Sequence, residues 1–512
     1  MSSHMEQNIL NLKYDTKMTK KYNSKIKDGN LEIGDCRIGK GDPEVTNLRF
    51  IEQLKITTLK LFISIDMHVK LKINTIQELF LKQINRVDQL NLKVNDFELE
   101  NLEVLYLQEN NLENDQLYNL NKFKKLHTLS VSCNKVDLTH IHSVISLTKL
   151  YMQQCEIKNV DLIESLINLK LLDLSLNIGI DISPLCKVKS LSKLFIRECG
   201  LTQIDQIGSL NQIASLTNLE DLYLNANEGI DLNALCKVKS LLKLNISECK
   251  LKQIDWIGSL TNLEVLQVSS NELLKIDTIR ILVNLKKLIV NFNYKIDIAP
   301  LEYLVGLIKL DAKKCGLRQL SALKSLINLE ALNVSSNYFL NITAIQYLVN
   351  LTHLNLKDCN LVSIYALRPL VKLERLQISN NDLVYLDSNL NEMKQLIQLN
   401  VQFNRIIDFS SLEQHQNYNS INEDGQRCFN ISNQTKPFQE ELRYANQMKN
   451  IESPNIQLRE IQNKRKTLKT IFNAFKLKIN AVPIRLHSDQ IQFTSSAVRL
   501  FKQLDLLDQL GQ

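Results

Sequence analysis

Leu219 to Asn227 reads LEDLYLNAN, and the same nine-residue phrase returns nearly every 22 residues along the chain. It recurs as LLKLNISEC ending at Cys249, LEVLQVSSN at Asn271, LKKLIVNFN at Asn293 and LIKLDAKKC at Cys315. LEALNVSSN at Asn337, LTHLNLKDC at Cys359, LERLQISNN at Asn381 and LIQLNVQFN at Asn404 follow. Upstream, the ninth position falls on Asn110, Asn134, Cys155, Asn177 and Cys199. The common form is L-x-x-L-x-L-x-x-(Asn or Cys), so the chain is an array of repeats rather than a succession of unrelated elements.

Within the phrase, alternation of Leu with variable residues has the two-residue period of a short strand, one side facing a core and the other facing out. Downstream, apolar residues recur at steps of three, as in Leu251, Ile254, Ile257 and Leu260, which suits a 3₁₀ or short helical return. A single repeat buries about seven aliphatics worth roughly 1.5–3 kcal/mol each. It must order its residues at about 1–2 kcal/mol of backbone entropy apiece, so one repeat cannot fold alone and stacking is obligatory. Inside a stacked coil, backbone groups that the strands do not reach still need partners. A ninth-position Asn carries both donors and acceptors for that purpose. Cys155, Cys199, Cys249, Cys315 and Cys359 read as small buried hydrophobes in the same column.

The phrase resembles that of the leucine-rich-repeat family. Its 22-residue length is similar to the class shared by bacterial internalins and the leucine-rich regulatory subunit of protein phosphatase 1. The resemblance implies an α/β fold: a right-handed solenoid with a parallel concave sheet, a convex side of 3₁₀ or short helical segments, and a surface that binds other proteins.

Composition agrees with one elongated array. The 512 residues are 44% hydrophobic and only 6% aromatic. The opening MSSHMEQNIL has no apolar run, and no stretch of 18 apolar residues occurs, which points away from secretion and from a membrane span. With half of the ten cysteines in the repeat column, reduced thiols in a cytoplasmic or nuclear setting are the simpler expectation.

Taken in order, residues 1–44 read as an irregular lead-in with a short strand near Leu31 to Ile33. Gly34 to Lys40 has the spacing of a phosphate loop, but Gly41 stands where a Ser or Thr is needed. Residues 45–409 form the repeat region, with worn phrases over 45–101 at ITTLKLFIS and IQELFLKQI expected to seal its start. Six extra residues, Asn211 to Leu216, should bulge on the convex side. DISPLCKVKSL (Asp181 to Leu191) and DLNALCKVKSL (Asp231 to Leu241) suggest duplication of a two-repeat block. His140 and His142 lack a third neighbouring ligand, so no metal or other cofactor is expected. Residues 410–436 read as a linker.

Residues 437–512 read as helical. Arg459 to Arg485 carries eight basic residues against Glu460, a balance equal to the +7 of the whole chain. Lys464, Arg465, Lys466 and Lys469 would lie on a basic amphipathic helix. Such a helix can cap the array or meet an acidic protein, nucleic acid or a membrane surface.

The fifth position of each phrase must point to the concave side. Tyr106, Tyr151, Phe195, Tyr223 and Ile289 occupy it, and Lys149, Lys193, Lys243, Lys287 and Lys309 stand two places earlier. Together they predict an aromatic and basic strip suited to a protein whose surface is partly acidic. No zincin, nucleophile-elbow or complete phosphate-loop motif occurs. The expected function is a non-catalytic binding scaffold or adaptor. The alternatives are a regulatory subunit of an enzyme such as a phosphatase, or binding through the basic C-terminal helix.

Overall fold

A computed structural model describes residues 25–27, 30–36, 57–63, 71–72, 75–83, 93–201, 213, 215–407 and 428–430. In repeat after repeat the phrase folds into a three-residue strand with its middle Leu buried, as in Lys243–Asn245, Lys287–Ile289 and Lys309–Asp311. Neighbouring strands pair in parallel with their leucines in line, Leu244 beside Leu266, then Leu288, Leu310 and Leu332. Among the described residues, nineteen strands join in this sheet. Lys25–Lys27 meets Asn30–Cys36 antiparallel, and the later neighbours run parallel.

The ladder extends past the clean phrases at both ends. Asn30–Cys36 takes in the expected strand near Leu31 and the first three residues of the phosphate-loop imitation. Thr58–Ile63 and Glu78–Gln83 are the worn phrases. At the far end, Cys428–Asn430 pairs with Gln398–Asn400, inside the stretch read as a linker. Strand addition needs only the backbone groups of an open edge, so it leaves no hydrophobic signature in the sequence.

Most return segments carry a single 3₁₀ turn, such as Asp255–Ser259 or Ser321–Ser325, while the one after Val104–Tyr106 carries two. Apolar residues spaced by three eclipse one another in a 3₁₀ turn, so Ile254, Ile257, Leu260 and Leu263 all reach the core. The turn is often opened by an Asp or Asn that accepts from the amide two residues on, as Asp297 does from Ala299 at 2.9 Å. Trp256 packs partly buried against that core.

The ninth-position column forms a buried spine. Asn337 donates through Nδ2 to the carbonyls of Ala312 (2.9 Å) and Val334 (2.7 Å). Its Oδ1 accepts from the amides of Cys315 (2.9 Å) and Leu317 (3.0 Å) on the previous turn. A cysteine supplies only half of this: Cys315 Sγ donates to Val290 O at 3.2 Å, the slot that Asn Nδ2 fills elsewhere. The thiol has no oxygen with which to accept.

The preceding turn compensates by widening. After Asn177, Asn227, Asn293 and Asn337, each followed by a cysteine turn, the next buried residue comes three places on rather than two (Ile180, Ile230, Ile296, Leu340). Gly179, Gly229, Lys295 and Phe339 then take positive φ between 59° and 74°. The amides of Gly179, Gly229 and Lys295 reach the backbone carbonyls of Cys199, Cys249 and Cys315 at 2.8–3.0 Å. Asn134, one residue closer to Cys155 than the usual spacing, has no such widening.

A second asparagine ladder runs outside the core. Asn168, Asn218, Asn262, Asn284, Asn328 and Asn350 each donate through Nδ2 to a carbonyl of the turn before, at 2.8–3.1 Å. Among the described residues, no helix is long and apolar enough to cross a membrane. Of the six residues expected to bulge, 211, 212 and 214 lie outside the described residues, while Ile213 and Leu216 are buried.

Candidate binding face

The strand geometry sorts the predicted residues without ambiguity. In Lys193–Phe195 the middle Leu194 is buried, while Lys193 and Phe195 stand half-exposed on the other side of the sheet. The same holds for Tyr151, for Lys243, and for Lys287 and Ile289, while Lys149 is exposed. Lys309 is exposed beside Leu310. Register aligns them into columns, with Phe195 beside Tyr223 and Lys287 beside Lys309.

Two aromatic pairs stack face to face. Phe195 and Tyr223 have ring centroids 4.4 Å apart and an 11° interplanar angle. Tyr106 stacks at the same distance on Phe80, and Lys60 lies 5.4 Å over the Phe80 ring. Phe80 was missed by the sequence reading because its phrase, IQELFLKQI, is worn. Continuing the fifth-position column one repeat upstream would have found it. Burial pushes the Tyr106 phenol up, with Glu78 adding to the shift. Burial does the same to Tyr151, helped by Tyr106 and Asp173.

The basic strip is not uniform. Asp221, only 5% exposed, sits between Lys193 and Lys243, with Oδ2 at 3.0 and 3.3 Å from their ammonium groups. Its hydrogen bond and charge raise the Lys193 ammonium. Asp173, 3% exposed, accepts from Gln153 and lies 3.7 Å from Arg197, whose guanidinium is 5.8 Å from the Phe195 ring centre. Pairing through buried carboxylates could not be read from a list of lysines, because it depends on which residue stands one turn away.

The spine residues Asn110, Asn134, Asn177, Asn227, Asn271, Asn293, Asn337, Asn381 and Asn404 are buried, as are the five cysteines of the column. Burial pushes the Cys155 thiol up to about 12 and those of Cys199, Cys249, Cys315 and Cys359 up to about 11. Such thiols stay protonated and inert toward electrophiles near neutral pH. Among the described residues no group of His, Cys, Asp and Glu could hold a metal ion. His140 lies edge-on to Tyr118, and His142 bonds the carbonyl of Leu138 at 3.1 Å. Lys464, Arg465, Lys466 and Lys469 lie outside the described residues.

One exposed feature had no place in the sequence reading. Val283, Val305, Ile327, Val349 and Val371, on consecutive turns, are each 44–60% exposed just before the strands. The signal was present as the residue between two leucines in L-x-(Asn, Gly or Lys)-L, and alternation with Thr and Lys in earlier repeats conceals it.

A parallel ladder, 3₁₀ returns and an inner amide and thiol spine, repeated at this period, define the leucine-rich-repeat solenoid, and this chain has that fold. A leucine-rich-repeat protein of Leptospira interrogans superposes with a TM-score of 0.50 at 22% identity, over 73% of this chain and 96% of its own. An internalin of Listeria monocytogenes matches at 23% identity with a TM-score of 0.48, over 66% of this chain and 89% of its own. No family model matches the sequence. No curated protein matches it either.

Proposed function

We propose that this chain is a non-catalytic scaffold or adaptor that holds another protein on its concave face. The observation that carries this reading is the aromatic row of Phe80, Tyr106, Tyr151, Phe195 and Tyr223, half-exposed on a strand ladder that fixes their spacing. Aromatic side chains held in advance lose little freedom on binding and are the usual anchors of interfaces. The free, buried thiols of the spine fit a reducing, intracellular setting.

A photo-crosslinking residue at position 151, compared with one at position 305 off the sheet face, tests the proposal. Discrete protein adducts from 151 alone, lost when Phe195 is also changed to Ala, are the expected result. Equal adducts from both positions, or none from 151, would remove the concave face from the proposal. An enzyme among the adducts, with its turnover altered by the bound chain, would make this protein a regulatory subunit.

A further inference from the structure

We propose that the part of the concave face between Lys287 and Asn400 receives an acidic, extended peptide segment of the partner, an inference that rests on the protein-binding reading above. Two features of these strands set them apart from those before, and a third, which Asn245 already shows at 3.1 Å, recurs along them.

The first is unpaired charge. Lys193, Lys243 and Arg197 are neutralised by Asp221 and Asp173. Among the described residues, no carboxylate pairs with Lys287, Lys309, Lys313, Lys357 or Arg375. Between Lys287 and Asn400 the described strands carry one carboxylate, the half-exposed Asp311, whose Oδ1 is buried without a hydrogen-bond partner and which pairs with none of these cations.

The second is like charge side by side. Lys287 and Lys309 are register neighbours, an arrangement that opposes folding. A surface that keeps such a pair, where a nearby carboxylate could have been placed as it is at Asp221, is arranged for something outside the chain.

The third is the direction of the amides. Asn333, Asn355 and Asn400 each accept through Oδ1 from the backbone amide two residues on, at 3.0–3.1 Å. Asn291 Oδ1 accepts from Lys313 N at 2.7 Å. With the oxygens engaged, the NH₂ groups remain, and these have no partner among the described residues. The face therefore offers donors and cations, which carboxylates and peptide carbonyls satisfy because they accept. Strands about 4.8 Å apart carry the strip from Lys287 to Gln398 over roughly 24 Å, the length of about seven extended residues.

The test measures fluorescence anisotropy of a labelled ten-residue oligoglutamate with the full chain at low salt. Lys309→Ala/Lys357→Ala should weaken binding about tenfold or more, and Lys193→Ala/Lys243→Ala, equal in charge but removing lysines that Asp221 already neutralises, less than about twofold. The stretch Arg459 to Arg485 is the same in both variants, so their difference reports the concave face alone. Circular dichroism and urea midpoints matching the unaltered chain confirm that both variants fold. Equal weakening by the two variants, or no binding of oligoglutamate, overturns the proposal. So does tighter binding of an oligothymidylate of equal charge that Lys309→Ala/Lys357→Ala abolishes, which would make this a nucleic-acid face. Adducts from position 151 combined with no preference between the variants would keep the proposed function and remove only this inference.

Discussion

Strands Val104–Tyr106 to Lys243–Asn245 and strands Lys287–Ile289 to Gln398–Asn400 share one backbone, one register and one spine, yet present different chemistry. The earlier set stacks aromatics and, Lys149 apart, neutralises Lys193, Arg197 and Lys243 through Asp173 and Asp221. The later set exposes unpaired cations and amide donors. Scaffold and surface are therefore separable in this coil. The middle strand residue and the ninth position hold the fold, while the two flanking strand residues are free to vary.

That separation is broken first by the spine. Asn227→Ala and Asn337→Ala should each cost about 2–4 kcal/mol, because each strands several buried backbone groups. Urea unfolding should show equal losses in the two regions, and a clear inequality would tie scaffold to surface. The carboxylates come next. Asp221→Ala, which removes a buried partner of two lysines, should cost about 1–3 kcal/mol. Asp311→Ala should be neutral or stabilising by the same measurement, since its buried oxygen has no partner to lose. Smaller again, Phe195→Ala should cost about 1–2 kcal/mol through lost stacking and burial. Asn333→Ala should stay within about 0.5 kcal/mol, which thermal midpoints can resolve.

The gentlest probe is alkali. Cys315 is neutral when folded, with its pKa raised from 9.0 to about 11, so the unfolded chain loses that proton first as pH rises. Its contribution is whole below about pH 9 and falls by about 1.4 kcal/mol per unit until the folded thiol titrates. The stability gap between the unaltered chain and Cys315→Ala should therefore shrink from pH 9 to 11. For Cys155 the shrinking should continue toward pH 12. A gap that stays constant would place the thiols in water.

Much of the scaffold was legible because its signals are periodic. The leucines that become the strand centres, and the apolar steps of three that become 3₁₀ turns, repeat often enough that no single substitution hides them. The face was legible only as columns. Lys193 and Lys287 occupy the same position in the same phrase, and only the residue one turn away, Asp221 or Lys309, decides whether the charge is answered. The spine cysteines were read as hydrophobes that replace asparagine. Their second effect, the widened turn at Gly179, Gly229 and Lys295, depends on a missing acceptor one repeat later, which no local pattern reports.

The widened turn also governs how such a coil can change length. Except at Asn134 and Cys155, where the spacing is one residue shorter, every cysteine turn here follows a widened one, so splicing in one lone repeat at most joints creates a mismatch. Copying two at a time carries each thiol together with the loop that suits it, as the likeness of Asp181–Leu191 and Asp231–Leu241 illustrates. Where asparagine adjoins asparagine, at Asn110 and Asn134, Asn271 and Asn293, and Asn381 and Asn404, the joint accepts an odd number of turns. Growth within the alternating stretches of this coil is thus counted in pairs.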